Sequence, residues 1–181
     1  MEHYRFHPAG ALFYVTFTIV DWLPVFVSAE ACQIVTESLL YCHQHKGLRI
    51  NAYVIMPTHM PGIFFHQSFT AKGPEQTLTD FRKFTGRRVA DFSAKHLPRV
   101  FSEVFAEKSG ADRERRFWQP SRHPVQLETE KFWQAKLDYL HDNPCRKGLV
   151  RQPEYWRFSS AAYWLVGDER ASEVPLSGVV W

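Results

Sequence analysis

The chain has 181 residues, of which 45% are apolar and 23% are charged, and its net charge is +3. This composition excludes a largely disordered chain and indicates one globular domain with a core of its own. The small positive charge is a weak indication of a polyanionic partner.

The cysteines and the apolar segments exclude two further classes of protein. Cys32, Cys42 and Cys145 form no CxxC pair and no metal-binding spacing, which indicates free thiols in a reducing compartment. The longest apolar stretch, 11–27, is interrupted by a charged residue and a proline and does not span a bilayer. The first residues lack the apolar core of a signal peptide. We therefore expect a cytoplasmic protein that does not associate with membranes.

Periodicity, capping residues and breakers divide the chain into strands and helices. Segment 11–20 is rich in β-branched and aromatic residues, which is typical of a strand, whereas Ser28 and Gly47 are typical of the two ends of a helix. In chain order we predict a strand at 11–20, a helix at 29–46, strands at 48–56 and 59–65 joined by a turn at 57–58, a helix at 75–97, a short strand at 123–127, and a helix at 128–143 ended by Pro144. Segment 98–120 stays open between a loop containing a strand and an extension of the preceding helix.

The order of these elements predicts the fold class. Strand, helix, strand, strand, helix and strand form an α+β domain with a ferredoxin-like split βαβ antiparallel sheet, and the last helix is an additional C-terminal helix carrying Tyr139. We expect residues 1–181 to form a single domain, with a flexible tail after about residue 166.

A histidine at the predicted hairpin is the first candidate site residue. In a strand, residues i and i+2 face the same way, so an H-x-H sequence presents two imidazoles to one divalent ion. In segment 56–61, MPTHMP, His59 holds the first of these positions, but Pro61 holds the second and has no donor atom. Since a lone histidine at a turn is more often structural than a ligand, the residues alone leave both alternatives open.

The last predicted helix brings a tyrosine and an asparagine together. Its apolar stripe consists of Trp133, Leu137 and Leu140, and Tyr139 and Asn143 lie beside that stripe. Because they are four residues apart, Tyr139 and Asn143 are neighbours on the helix surface. From the residues alone, a tyrosine in an amphipathic helix is by default a core or boundary residue.

Two basic segments carry aromatic residues among their cations. A basic face is usually only solvated, but cations interleaved with aromatic rings also suit single-stranded or hairpin DNA, since they neutralise phosphates and stack on bases. The candidate nucleic-acid-binding residues are Arg82, Lys83, Arg87, Arg88, Arg115, Arg116 and Trp118.

Several of these segments resemble one family. Segments 51–59 (NAYVIMPTH), 118–119 (WQ), 139–150 (YLHDNPCRKGLV) and 154–161 (EYWRFSSA) are similar to the signatures of the single-tyrosine, HUH-type transposases, nearest the REP-associated branch. The resemblance extends from about Tyr4 to Trp164.

The resemblance implies DNA transposition on single-stranded or hairpin DNA. The family's tyrosine, here Tyr139, is the implied nucleophile, and its attack on a DNA phosphate gives a 5′-phosphotyrosine link and a free 3′-hydroxyl for rejoining. His59 and Asn143 are implied as ligands of a Mg²⁺ or Mn²⁺ ion that polarises the phosphate.

Pro61 is where the chain departs from the family, and it leaves two functions open. One is an active, metal-dependent tyrosine transposase in which His59, Asn143, a phosphate oxygen and water hold the ion. The other is a cleavage-deficient, transposase-derived protein that binds DNA hairpins. A third alternative is that Pro61 is a sequencing change from histidine. The sequence also leaves open the target DNA, a mobile-element or host role, and whether the protein is a monomer or a homodimer in which Tyr139 acts across the interface.

Overall fold

The fold is taken from a computed structural model of the chain, which describes residues 2–5, 12–68, 73–109, 115–120 and 124–181. Its strands and helices are β1 (Glu2–Arg5), β2 (Leu12–Thr18), α1 (Ala29–His45), β3 (Leu48–Tyr53), β4 (His59–His66), α2 (Gly73–His96), α3 (Arg99–Glu107), β5 (Val125–Gln126), α4 (Glu130–Arg146), α5 (Ala161–Val166) and β6 (Ser177–Val180). Two short 3₁₀ turns lie at Val20–Trp22 and Pro153–Tyr155. No helix within these ranges is both long and apolar enough to cross a membrane.

Four strands form the central sheet in the order β3-β4-β2-β5, and every neighbouring pair is antiparallel. The β3–β4 hairpin inserts β4 beside β2, so the two strands that flank α1 in the sequence are separated in the sheet. This is the ferredoxin-like split βαβ arrangement, and the predicted fold class is confirmed. The predicted strand at 123–127 is confirmed at Val125–Gln126, whereas His123 lies outside the described residues.

The two faces of the sheet pack on different helices. Alternate residues of β4 point to opposite faces, so Met60 and Phe64 join the core beneath α1 and α2, whereas Ile63 and Phe65 join the core beneath α4. The α4 side of that second core consists of Trp133, Leu137 and Leu140, as the apolar stripe predicts. The sheet therefore separates the basic helix α2 from the tyrosine helix α4.

Side-chain caps set the starts of α1 and α4. The Ser28 hydroxyl accepts a hydrogen bond from the Ala31 amide at 3.3 Å, and the Thr129 hydroxyl accepts one from the Phe132 amide at 3.2 Å. The prediction that Pro144 ends the last helix is wrong, because α4 continues to Arg146 with the proline inside it. Proline removes the bond to the carbonyl of residue i−4 and usually disrupts a helix, but here it lies only two residues before the end of α4.

The C-terminal part of the chain adds structure that the sequence analysis does not predict. Segment 98–120 contains a separate helix, α3, after Pro98. The segment after Val166, expected to be a flexible tail, carries β6, which pairs in parallel with β1, and it places Val174 and Leu176 in the core. The segment is mostly polar, and the residues that Val174 and Leu176 pack against are distant in the sequence. Their burial could therefore not be predicted from the local pattern.

A buried asparagine joins these layers. The Asn51 amide donates to the Ser177 carbonyl at 2.9 Å, and its Oδ1 accepts from the Trp133 indole of α4 at 2.7 Å. The Asn51 carbonyl accepts from the Trp164 indole of α5 at 2.9 Å. Asn51 lies at a bulge in β3, where the register with β4 shifts between Ile50 and Ala52. One fully buried side chain thus fixes α4 and β6 to the sheet.

Replacing Asn51 with alanine should destabilise the fold. The change removes the acceptor of the buried Trp133 indole N–H and a donor to the Ser177 carbonyl, and leaving a buried polar group unpaired costs roughly 1–3 kcal/mol. We therefore expect the free energy of unfolding, measured by urea denaturation, to fall by at least about 1 kcal/mol.

The matched control is Gln134→Ala, which removes an exposed amide of α4 that donates to Asp138. Its effect should stay within about 0.5 kcal/mol. Equal unfolding free energies for Asn51→Ala and Gln134→Ala would show that the asparagine does not hold the layers together.

Candidate nucleic-acid interface and tyrosine site

Tyr139 lies on the outer edge of α4 with its phenol accessible. Its side chain is 46% exposed, although the neighbouring Leu137 and Leu140 are buried. Two cations contact its ring: the Arg146 guanidinium carbon is 4.7 Å from the ring centroid and the Lys136 ammonium is 6.0 Å from it. Positive charge at this position favours a phosphate or a developing phenolate beside the tyrosine.

A second tyrosine, on β2, belongs to the same region and was not among the predicted site residues. The Lys136 ammonium lies 5.1 Å from the centroid of the Tyr14 ring. Burial raises the pKa of Tyr14, and proximity to Tyr139 raises it further, whereas a hydrogen bond with Thr16 acts in the opposite direction. Strand alternation could have indicated Tyr14, because Tyr14, Thr16 and Thr18 share the face of the sheet that α4 covers.

His59 is the first residue of β4 and lies on the sheet face that α4 covers, opposite Thr18 at the end of β2. Its Nδ1 shares a hydrogen bond with the Thr58 hydroxyl at 3.0 Å, and its ring meets the Trp22 indole edge to face at 5.7 Å between centroids. Burial lowers the pKa of His59 to about 4, and the nearby charge of Lys147 acts in the same direction. The imidazole is therefore neutral at neutral pH.

Another histidine of the tyrosine motif has a structural position. His141 is buried, and its Nε2 shares a 2.8 Å hydrogen bond with the Ser160 hydroxyl, which also accepts from the Tyr53 amide. Burial lowers the pKa of His141 to about 4. This contact binds α4 to β3 and to the segment before α5, so His141 supports the helix that carries Tyr139.

The cations of α2 and of segment 115–116 form one groove on the other side of the sheet. Its volume is about 660 Å³, and Gly86, Ala90 and Trp118 contribute apolar or uncharged surface to it. A side chain at Gly86 would begin 3.3 Å from the Trp118 ring, so glycine keeps this groove open. The cations that line the groove are Arg82, Lys83, Arg87, Arg115 and Arg116.

The remaining contacts distinguish the roles of these residues. Lys83 and Arg87 are exposed, whereas Arg82 donates to the Gln119 carbonyl and Arg115 pairs with Asp91 at 2.6 Å. Arg116 has a buried Nε without a hydrogen-bond partner among the described residues.

Two predicted DNA-binding residues differ from the groove cations in position: Arg88 lies outside the groove, and Trp118 lines it but is largely buried. Arg88 does not line the groove, and its guanidinium lies 5.6 Å from the centroid of the exposed Phe84 ring. Trp118 is buried and donates its indole N–H to Thr85 at 3.0 Å. We therefore expect Trp118 to shape the groove floor rather than to stack on a base.

Segment 117–119 connects the groove with the His59 end of the sheet. The Gln119 amide donates to the Thr18 carbonyl at 2.8 Å, and the Ile19 amide donates to the Thr58 carbonyl at 3.0 Å. Thr18 is paired with His59 in the β2–β4 ladder. Backbone hydrogen bonds thus connect the segment that lines the groove to the strand ends at Thr18 and His59.

The chain is similar to transposases of one kind. It is 22% identical over 159 residues to the REP-associated tyrosine transposase of Escherichia coli (strain K12), covering 88% of this chain and 81% of that protein. A solved REP-associated tyrosine transposase bound to a REP hairpin has a TM-score of 0.61 and 19% identity, over 88% of this chain and 82% of that one. No family model matches the chain.

The predicted resemblance to the REP-associated tyrosine transposases is confirmed. A second solved structure, named for a transposase from Deinococcus radiodurans R1, has a TM-score of 0.41 and 16% identity, over 78% of this chain and 97% of that one. At that TM-score it adds nothing to the fold assignment.

The metal ion that this resemblance implies does not fit the donor atoms at the site. Pro61 is buried on the same sheet face as His59, at the position where a second imidazole would be needed. Within the described residues, no three His, Cys, Asp or Glu side chains are grouped so that they could hold an ion. The charge of Lys147 also reaches His59 and opposes a cation there. Of the two implied ligands, His59 has a neutral imidazole and Asn143 is buried in α4, and neither has a second imidazole beside it at position 61.

Replacing Pro61 with histidine should create metal affinity. An imidazole at this position would share the sheet face of His59, and even an outer partner of a metal ligand is worth on the order of 10–100-fold in affinity. Titration calorimetry with Mn²⁺ should therefore show affinity higher by at least about tenfold than that of the parent.

Pro61→Ala is the control, since it removes the ring without adding a donor. Equal Mn²⁺ affinity in the parent and in Pro61→His would mean that other groups complete a metal site in the parent.

Proposed function

We propose that this protein binds single-stranded or hairpin DNA in the groove beside α2. The observation that carries the proposal is the clustering of five cations along one groove of about 660 Å³. Lys and Arg side chains neutralise phosphates and release counterions, which supplies most of the sequence-independent affinity for DNA. The REP hairpin bound to the structurally similar transposase supports hairpin DNA as the ligand class.

An exposed aromatic ring beside the groove suits unpaired bases. Phe84 is 54% exposed on α2, one residue after Lys83, and Arg88 contacts its ring. Base stacking on such a ring is tolerant of sequence and adds to phosphate binding. The arrangement favours DNA that combines a helical stem with unpaired nucleotides.

Binding without metal-dependent cleavage is the activity that the site supports best. Pro61 and Lys147 both disfavour an ion beside His59, and phosphate binding in the groove needs no ion. The protein is then a transposase-derived DNA-binding protein that does not cut its ligand.

The second candidate is strand cleavage and rejoining by Tyr139, as in a metal-dependent tyrosine transposase. One observation favours it: the exposed phenol is flanked by Arg146 and Lys136. These cations would stabilise the negative charge on a phosphate that Tyr139 attacks, with a 5′-phosphotyrosine link as product.

The salt dependence of binding tests the groove. Replacing Lys83 and Arg87 together by alanine should reduce the slope of log affinity against log salt by roughly 0.7–0.9 for each phosphate that the variant no longer neutralises. Filter binding of a labelled hairpin at several salt concentrations measures this slope. Lys95→Ala, an exposed lysine on the same helix outside the groove, should leave it unchanged. An unchanged slope in the double variant would place the DNA elsewhere.

The Tyr139→Phe variant tests whether Tyr139 is the nucleophile of the second candidate. It keeps the ring and its interactions with the two cations but removes the phenol oxygen, so hairpin affinity and stability should hardly change. Any covalent protein–DNA adduct that the parent forms with Mn²⁺ should disappear on a denaturing gel. An adduct that persists in Tyr139→Phe would assign the nucleophile to another residue.

A further inference from the structure

The turn after β2 holds two consecutive residues in an unfavourable backbone conformation. Asp21 has φ of 50° and Trp22 has φ of 54°, and neither is glycine. A bulky side chain in this left-handed region is uncommon, because its Cβ crowds the backbone. Such a conformation persists only where the surrounding structure imposes it, and these positions are often functional.

Contacts from two neighbouring elements impose the conformation. The Val20 amide donates to the Phe117 carbonyl at 2.9 Å, which fixes the turn to the segment that ends the basic groove. The Asp21 carboxylate pairs with the Lys108 ammonium at the end of α3, at 3.2 Å. The Trp22 amide closes the turn on the Ile19 carbonyl at 3.1 Å.

The result is a large aromatic ring held outside the core. Trp22 is 56% exposed, although an indole of this size usually buries most of its surface. Its ring meets the His59 imidazole at 5.7 Å and 69°, so the edge of one ring faces the other and part of the indole stays accessible.

The position of Trp22 links the groove to the tyrosine face. The Gln119 backbone amide donates to the Thr18 carbonyl at 2.8 Å, and the Gln119 side-chain amide donates to the Ile19 carbonyl at 3.3 Å. The indole therefore projects from the turn that lies between the groove end and His59.

We propose that Trp22 and His59 form a binding site for an unpaired nucleobase of the DNA that the groove holds. The base stacks on the accessible part of the Trp22 indole, and the charge of Lys147 beside His59 attracts the phosphate of the same nucleotide. The inference rests on the proposed DNA binding and specifies which part of the ligand reaches this end of the sheet.

The surrounding charge supports a nucleotide over a protein partner. The charge of Lys147 reaches His59, whose ring contacts the indole, and the groove cations lie beyond segment 117–119. The His59 Nδ1 is occupied by Thr58, so Nε2 is the ring nitrogen that can meet the edge of a base. An aromatic ring next to cations is the combination by which proteins bind unpaired nucleotides.

The test compares two DNA probes of the same stem. One is a blunt hairpin, and the other carries short single-stranded extensions that contain 2-aminopurine, whose fluorescence is quenched by stacking. The parent should bind the extended hairpin more tightly and quench its fluorescence. Trp22→Ala should lose roughly 5- to 150-fold in affinity for the extended hairpin, with little change for the blunt one. Trp22→Phe should keep most of the affinity.

Tyr41→Ala is the matched control. Tyr41 is also exposed, at 53%, and stacks on a histidine, His45, at 4.5 Å, but it lies near the C-terminal end of α1 and does not line the groove. The variant should bind both probes as the parent does.

Three outcomes would overturn the inference. Unchanged binding of both probes by Trp22→Ala would remove Trp22 from the DNA site and leave the groove proposal intact. An equal loss for both probes would assign Trp22 a role in the fold or in stem binding. If the parent bound neither probe, the groove proposal would fail and this inference with it.

Discussion

The position of the tyrosine helix depends on one buried amide. Asn51 accepts a hydrogen bond from Trp133 of α4 and donates one to the carbonyl at the start of β6, so one side chain joins the sheet, the tyrosine helix and the C-terminal strand. The Trp133 ring also meets the rings of Trp164 and Trp181 at 5.7 and 6.2 Å. Because an unpaired buried polar group is costly, these partners specify one placement of α4. The orientation of Tyr139 follows from that placement.

The sheet separates the two halves of the candidate site and connects them at one end. The groove cations lie with α2 on one face, and Tyr139 lies with α4 on the other. Backbone hydrogen bonds of Gln119, Thr18 and Thr58 join the groove side to the end where β2 stops and β4 begins, and the charge of Lys147, which follows α4, reaches His59 at the same end. At this end the chain has a proline where an ion would need a ligand. The described surface carries the cations on which the proposed phosphate binding depends, but it has few of the ligands that a divalent ion needs.

Local signals in the sequence predicted the fold well. Ser28 marked the start of α1, and the period of two in β4 placed His59 and Pro61 on one face, which the pairing with β2 confirms. Contacts between distant residues were not predictable: Val174 and Leu176 enter the core, and Asn51 bonds to residues far along the chain. The end of α4 was also predicted wrongly, because Pro144 remains inside the helix. The sequence indicated the groove cations but not the exposure of Trp22, which lies in a turn with positive φ angles held by Phe117 and Lys108. The roles of His59, Asn143 and Tyr139 in metal binding and cleavage stay predictions.

The most direct test of the account is the metal dependence of the parent protein. A labelled DNA hairpin with single-stranded ends is incubated with the protein in Mn²⁺ and, in parallel, in EDTA. Affinity is measured by filter binding and covalent adducts are measured on a denaturing gel. The account predicts the same affinity in both conditions and no adduct in either. An adduct that forms in Mn²⁺ and is absent in EDTA would contradict it and establish metal-dependent cleavage despite Pro61.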